Sequence, residues 1–244
     1  MSCILVFIPL LVNAELSTRD AWDNLKKLLE TGGYQVIGQE ITVGPDLSIK
    51  NVQISSEVDA QTDITFDIGS LDLTKNKDGF INISLPEEIY VQYLNEDEFG
   101  YKTEANILVR ARELDFKVSG ELSQVLYQLT ASSAGFALVE LLDNGVPSPD
   151  LSAEMEFVLA DVKSTIRATG GSTIEITSLL SASGASIKGG FRVLSVPLEL
   201  NFQYVMNQLK SSSVSNEPKV SLDEDFELAL AKGFSSTSNF TFDT

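Results

Sequence analysis

The side chains with chemistry to offer in this 244-residue chain are carboxylates, grouped as Glu87-Glu88, Glu96-Asp97-Glu98 and Asp223-Glu224-Asp225. Two carboxylates facing each other across a sugar hydrolyse a glycosidic bond. Several in one loop hold calcium. Adjacent acids on turns read more simply as solvated charge, because Asp and Glu stay exposed unless they are paired. Asn76-Lys77-Asp78-Gly79 has the outline of a calcium loop, but the pattern puts Thr74 at the first ligand position and Leu85 where a bidentate Glu is required. It reads as a plain turn, and neither a metal nor another cofactor is expected. His is absent, which removes the usual general base near neutral pH and excludes serine-histidine and cysteine-histidine nucleophiles. Gly170-Gly171 and Gly189-Gly190 lack the Lys-Ser or Lys-Thr that follows in a phosphate loop and read as turns or bulges. Asn82-Ile83-Ser84 and Asn239-Phe240-Thr241 match the glycosylation pattern, but both fall inside predicted strands.

Asp and Glu number 35 against 17 Lys and Arg, a formal charge of -18. That balance opposes long-range attraction to phosphate backbones, so nucleic acid is not an expected partner. Hydrophobic residues make up 43%, enough for a full core in one large domain or two smaller ones. The one cysteine, Cys3, precedes an apolar run from Ile4 to Val12 that ends in Asn13-Ala14-Glu15. The run is too short to span a bilayer and suits a secretory signal, with cleavage expected after Ala14. Met1-Ser2-Cys3 lacks the basic residue that usually opens such a signal. A lipoprotein cysteine would follow the apolar run, whereas Cys3 comes before it. The mature chain is expected to carry no cysteine and no transmembrane span.

The elements that must position any site are mostly strands. Ser17 to Thr31 is the exception: Ala21, Trp22, Leu25, Leu28 and Leu29 recur at helical intervals, Ser17 with Asp20 makes a capping-box start, and Gly32-Gly33 stops the helix. From Tyr34 the pattern has period two. Ile64 to Leu85 is the strongest hairpin signal: Ile64, Phe66 and Ile68 alternate with polar residues, Leu71 and Leu73 resume after Gly69, and Lys75 to Gly79 turns the chain. Gly44-Pro45-Asp46, Asn95 to Gly100 and Asn144-Gly145 read as further turns. The alternation slips phase at Lys50-Asn51 and again at Asp161, which predicts bulges or bends. Glu121 to Leu142 is read as two strands, divided at Ser132-Ser133 and Gly135. Leu198, Phe202, Val205, Met206 and Leu209 have helical spacing, although Asn201 to Tyr204 could extend a strand. Ser211 to Pro218 reads as a polar loop, Leu222 to Lys232 as a short helix, and Phe234 to Thr244 as a strand.

The expected architecture is therefore mainly β, a long antiparallel meander with an N-terminal helix and one or two short helices near the C-terminus. The expected segments are 1–14 as signal, 15–33 as helix and 34–244 as the β-rich domain, with two sub-parts dividing near 143–150. A chain that ends in mid-strand predicts the front part of a longer protein.

Ala21-Trp22-Asp23-Asn24-Leu25 ending in Gly32-Gly33-Tyr34, followed by Leu47 to Ser55, resembles the start of bacterial proteins of the domain-of-unknown-function 2125 family. Leu85 to Glu88 and Ala231 to Phe234 are similar too. The resemblance implies a periplasmic envelope protein of a Gram-negative bacterium; it implies no activity and no functional residues.

The residues together predict a secreted, non-enzymatic β protein that binds or carries an apolar envelope ligand such as lipid. Phe66, Ile68, Leu71, Ile81 and Ile83 are the candidate apolar face, with ordinary core as the plainer reading of the same five. An assembly scaffold that meets an envelope protein through its acidic surface is the second reading. A carboxylate-dependent glycan hydrolase is the third.

Overall fold

The computed structural model describes residues 15–147, 151–170, 173–193, 198–218 and 235–243. Among the described residues one helix, α1 (Thr18–Thr31), precedes a single antiparallel sheet. Its start is a capping box: Ser17 Oγ accepts from the Asp20 amide at 3.1 Å, and the Asp20 carboxylate accepts from the Ser17 amide at 3.1 Å. Gly33, at φ +83°, ends it.

The strands follow as a meander. β1 (Gln35–Val43), β2 (Asp46–Asp59) and β3 (Thr62–Lys75) are joined by short hairpins. The chain then runs through β4 (Ile81–Ser84) into β5 (Glu88–Glu96), and back through β6 (Lys102–Arg112) into β7 (Asp115–Glu121). β8 (Gln124–Asp143), β9 (Val146–Pro147) and β10 (Leu151–Gly170) come next. β11 (Thr173–Ala182) leads into β12 (Gly184–Val193), β13 (Leu198–Met206) into β14 (Gln208–Pro218), and β15 (Ser235–Asp243) lies beside β14.

The pairing explains why some strands are long and others short. β8 pairs with β7 along Gln124 to Thr130 and with β6 along Ser133 to Asp143. β10 pairs with β12 along Leu151 to Ala160 and with β11 along Lys163 to Gly170. β4 with β5, β7 with β6, β11 with β12, and β14 with β13 are thus halves of long strands interrupted at one transverse line. Asn51 (φ +54°), Gly69 (φ +74°), Glu113 (φ +51°) and Asp161 (φ +48°) mark that line. Each left-handed residue reverses the alternation locally. On β2 the buried residues change from Leu47 and Ile49 to Val52, and on β3 Leu73 and Leu71 give way to Ile68 and Phe66. The sequence shifts its apolar phase where the backbone does, so one face stays apolar throughout.

The sheet folds toward that face. Val52, Ala131, Val162, Ala182 and Ala185 flank the crease on the apolar side and are buried, while Asn51, Glu113 and Asp161 are exposed. Serines satisfy backbone groups there: the Ser183 amide donates to the Ala160 carbonyl at 2.9 Å, and Ser132 Oγ donates to the Arg112 carbonyl at 3.2 Å. The result is a trough with two leaves. One holds β4, β7, β11, β14 and β15 with the adjoining halves of the long strands. The other holds β5, β6, β12 and β13 with the remaining halves.

Three expectations are corrected. Leu198 to Leu209 is not helical: Leu198 to Met206 is β13, paired residue by residue with β12. The same residues fit both periods, since Leu198, Leu200, Phe202, Tyr204 and Met206 alternate, and the neighbouring strand decides. Ser211 to Pro218 is not a loop but the body of β14, in register with β11. Glu121 to Leu142 is not two strands, because Ser132 and Ser133 lie inside one strand of 20 residues. The short helix expected over Leu222 to Lys232 falls outside the described residues. β9 and β10, which follow the Asn144-Gly145 turn, pair with β8 in the same sheet.

Candidate functional site

Strand register assembles the inner face of the trough. Directly opposed residues on one face give a continuous row, Ile89–Val109–Phe136–Phe157–Ile187–Tyr204, across β5, β6, β8, β10, β12 and β13. The Phe136 and Phe157 rings lie 5.5 Å apart. Nearer the rim the row runs Met155–Gly189–Phe202, then Ala153–Phe191–Leu200. A Cβ at Gly189 would come within 2.7 Å of Phe202 Cζ, so a larger residue there would have to displace the ring. The bare backbone lets the phenyl ring lie across β12.

Helix α1 covers one end of this face. Leu16, Ala21 and Trp22 are buried with Leu47, Ile49, Leu71, Leu73, Ile81, Ile83, Val118, Val125 and Tyr127, and Leu25, Leu28 and Leu29 pack on the same cluster. Polar bonds fix the helix in place. Trp22 Nε1 donates to Glu40 at 2.8 Å, Thr18 Oγ1 to the Pro45 carbonyl at 2.7 Å, and Lys75 Nζ to the Leu16 carbonyl at 3.1 Å. Arg19 pairs with the same Glu40. The Tyr127 hydroxyl donates to Asn24 Oδ1 at 2.6 Å, and burial pushes its phenol well above the ordinary tyrosine value.

Beyond the helix, no element among the described residues covers the face. Met155, Leu198, Leu200, Phe202 and Tyr204 are 39% to 64% exposed, and they continue rows whose inner members, Phe136, Phe157 and Ile187, are half-buried. Contiguous exposed apolar surface of this kind makes the face the candidate contact site of the described residues.

The five residues chosen from sequence divide between the two regions. Leu71, Ile81 and Ile83 are buried under α1, and Ile68 packs against that core. Phe66 is half-buried, edge-on to Tyr34 at 6.5 Å between ring centroids. The hairpin is therefore the floor beneath the helix, and the open surface lies further along the chain, in β10, β12 and β13. The signal for it was present in the alternation of Leu151, Ala153, Met155, Phe157 and Leu159. What was missing from the sequence was the position of the cover.

The acids among the described residues do not assemble. Glu88 and Glu96 begin and end β5, a separation of about 26 Å for eight steps of extended chain, against the roughly 5–9.5 Å between glycosidase carboxylates. Glu88 pairs with Arg110 at 2.9 Å, Glu96 with Lys102 at 3.1 Å, and Asp97 accepts from the Phe99 and Tyr101 amides at 2.9 Å each. Asp223 to Asp225 lie outside the described residues. Among the described residues no three His, Cys, Asp or Glu side chains are grouped to hold a metal ion. Asn82 is within β4 with its Oδ1 buried.

Charge is kept on the outer face of the open leaf. Arg192 pairs with Glu199 at 2.9 Å and Lys188 with Glu156 at 2.5 Å. Hydrogen bonds from Asn201 and Arg192, then the Arg192 charge, hold the Glu199 carboxyl below its usual value. The hydrogen bond to Glu156 and its charge hold the Lys188 ammonium above its own. Among the described residues no helix is long and apolar enough to cross a membrane. Compared with known protein families, with curated proteins and with solved structures, the chain matches none.

Proposed function

We propose that the chain is a non-enzymatic, extracytoplasmic binding protein whose open trough receives an extended apolar ligand, such as the acyl chain of an envelope lipid. The observation that carries this reading is the exposure of Met155, Leu198, Leu200 and Phe202 on an apolar face shared with the half-buried Phe136, Phe157 and Ile187. Burying that face against acyl chain gains about 25 cal/mol per Å² of apolar surface removed from water, and the uncharged inner rows impose no desolvation cost on a hydrocarbon. The apolar run before Ala14 supports a periplasmic location for the same protein. Membership of the domain-of-unknown-function 2125 family belongs to this proposal and rests on the short stretches from Ala21 to Tyr34 and Leu47 to Ser55.

Native mass spectrometry of protein expressed in a Gram-negative host tests the reading. Co-purifying lipid is expected with the wild type and its loss with Leu200→Glu. A wild-type protein that carries no lipid and binds no apolar dye would end the proposal.

A further inference from the structure

The outer face of the helix-side leaf holds a second feature, on the opposite side of the sheet from the apolar trough. β10, β11, β14 and β15 together form a depression of about 510 Å³ close to the crease. Register places Lys163, Ser181, Lys210 and Thr241 in one row across it. Ser212 and Asn239 oppose each other in the next row and line the same depression. None of its lining residues is Asp or Glu. Among the described residues neither lysine has a carboxylate partner, a property shared with Lys27 and Lys77, whereas Lys26, Lys50, Lys75, Lys102, Lys117 and Lys188 each have one. Two unpaired ammonium groups facing hydroxyls and an amide, with no acid among the lining residues, are the reverse of what a charge of -18 leads one to expect.

We infer that this depression is an anion site for a phosphate monoester. Lys163 and Lys210 stand two strands apart, about 10 Å between backbones. Both flexible ammonium groups therefore reach one phosphate centred above Ser181. Charge-assisted bonds from the two lysines hold its oxygens, while Ser181, Ser212, Thr241 and Asn239 supply neutral donors. The net charge of the chain repels a polyanion or an anionic bilayer, so the occupant is a small molecule with a single phosphate group, such as a sugar or glycerol phosphate. The depression has room for the body of such a molecule beside the phosphate.

Titration of the full chain with glycerol 3-phosphate, followed by calorimetry and by amide chemical shifts, tests the site. Saturable binding is expected, with the largest shifts at Ser181, Ser212 and Thr241 and an affinity that falls as salt is raised. Lys163→Gln and Lys210→Gln should each weaken binding about tenfold, the loss of one charge-assisted contact. Lys77→Gln, on the β3–β4 turn, should leave it unchanged. Inorganic phosphate should compete, and vesicles of phosphatidic acid in phosphatidylcholine should not bind. Absence of saturable binding, shifts spread evenly over the surface, or equal losses in all three variants would overturn the site. Binding to the vesicles in preference to glycerol 3-phosphate would overturn the assignment to a small ligand. Because the shifts are read on the unmutated protein, a variant that fails to fold leaves the test intact.

Discussion

The two ends of the trough are built from one sheet with one rule, and they differ in what lies over them. Under α1, Ile49, Leu73 and Ile81 are at 0% exposure; on β13, Leu200 and Phe202 are near half. Both sets alternate with polar residues along their strands and sit opposite apolar neighbours. The pattern of apolar residues therefore states which face is inside, and the helix states where that inside becomes core. Where no described element covers the same face, its apolar residues stay exposed.

Truncations should separate the two ends most strongly. Leu73→Ala is expected to cost about 3 kcal/mol, within the 2–5 kcal/mol range for buried leucines, while Leu200→Ala should cost well under about 1 kcal/mol. Equilibrium unfolding in urea measures both, and equal costs would mean that the open end is packed as well. Gly69→Val sharpens the role of the crease. A β-branched residue at φ +74° should lose about 1–3 kcal/mol through backbone strain, and Asn51→Gly, at φ +54°, should lose almost nothing. Similar losses at both positions would show that the bend does not depend on the left-handed residues.

Alkaline pH should act on the covered end. Burial raises the Tyr127 phenol above the ordinary tyrosine value of about 10, so the folded state holds its proton more tightly than the unfolded state does. Its contribution is fully present below pH about 10 and is lost as pH climbs toward the folded value. Tyr127→Phe should cost about 1 kcal/mol at neutral pH for the bond to Asn24 and should flatten the alkaline loss. An unchanged alkaline midpoint would assign that loss to other groups. The smallest effect belongs to the open end. Glu199 is held below its usual value, so its contribution is present above the ordinary carboxylate range and disappears as pH falls through the lowered value. A side-chain carboxyl titration by NMR should show that depression in the wild type and its reversal in Arg192→Gln.

Much of this was legible because local chemistry and tertiary packing agree. Ser17, Asp20 and Gly33 are cap residues whatever they pack against. Gly44, Gly79 and Asn144-Gly145 each include a left-handed conformation, the requirement that Gly and Asn meet at low cost. The phase slips at Asn51 and Asp161 were visible as breaks in alternation, although only the assembled sheet aligns them into one crease. The failures have a common cause. In Leu198 to Leu209 the apolar residues satisfy two periods at once, and in Ser211 to Pro218 serine satisfies neither. Such stretches take their structure from the strand beside them: β12 for the first and β11 for the second.

By itself the sequence determined an acidic, histidine-free chain, a capped N-terminal helix and strands with one apolar face, because charge, capping and alternation are written in residue types and short spacings. Tertiary structure alone decided that Leu71, Ile81 and Ile83 lie under the helix while Leu200 and Phe202 lie in the open. It also placed Lys163 and Lys210 on either side of Ser181. Those outcomes depend on which strands become neighbours and on where a helix comes to rest, and neither is carried by the local spacing of residues.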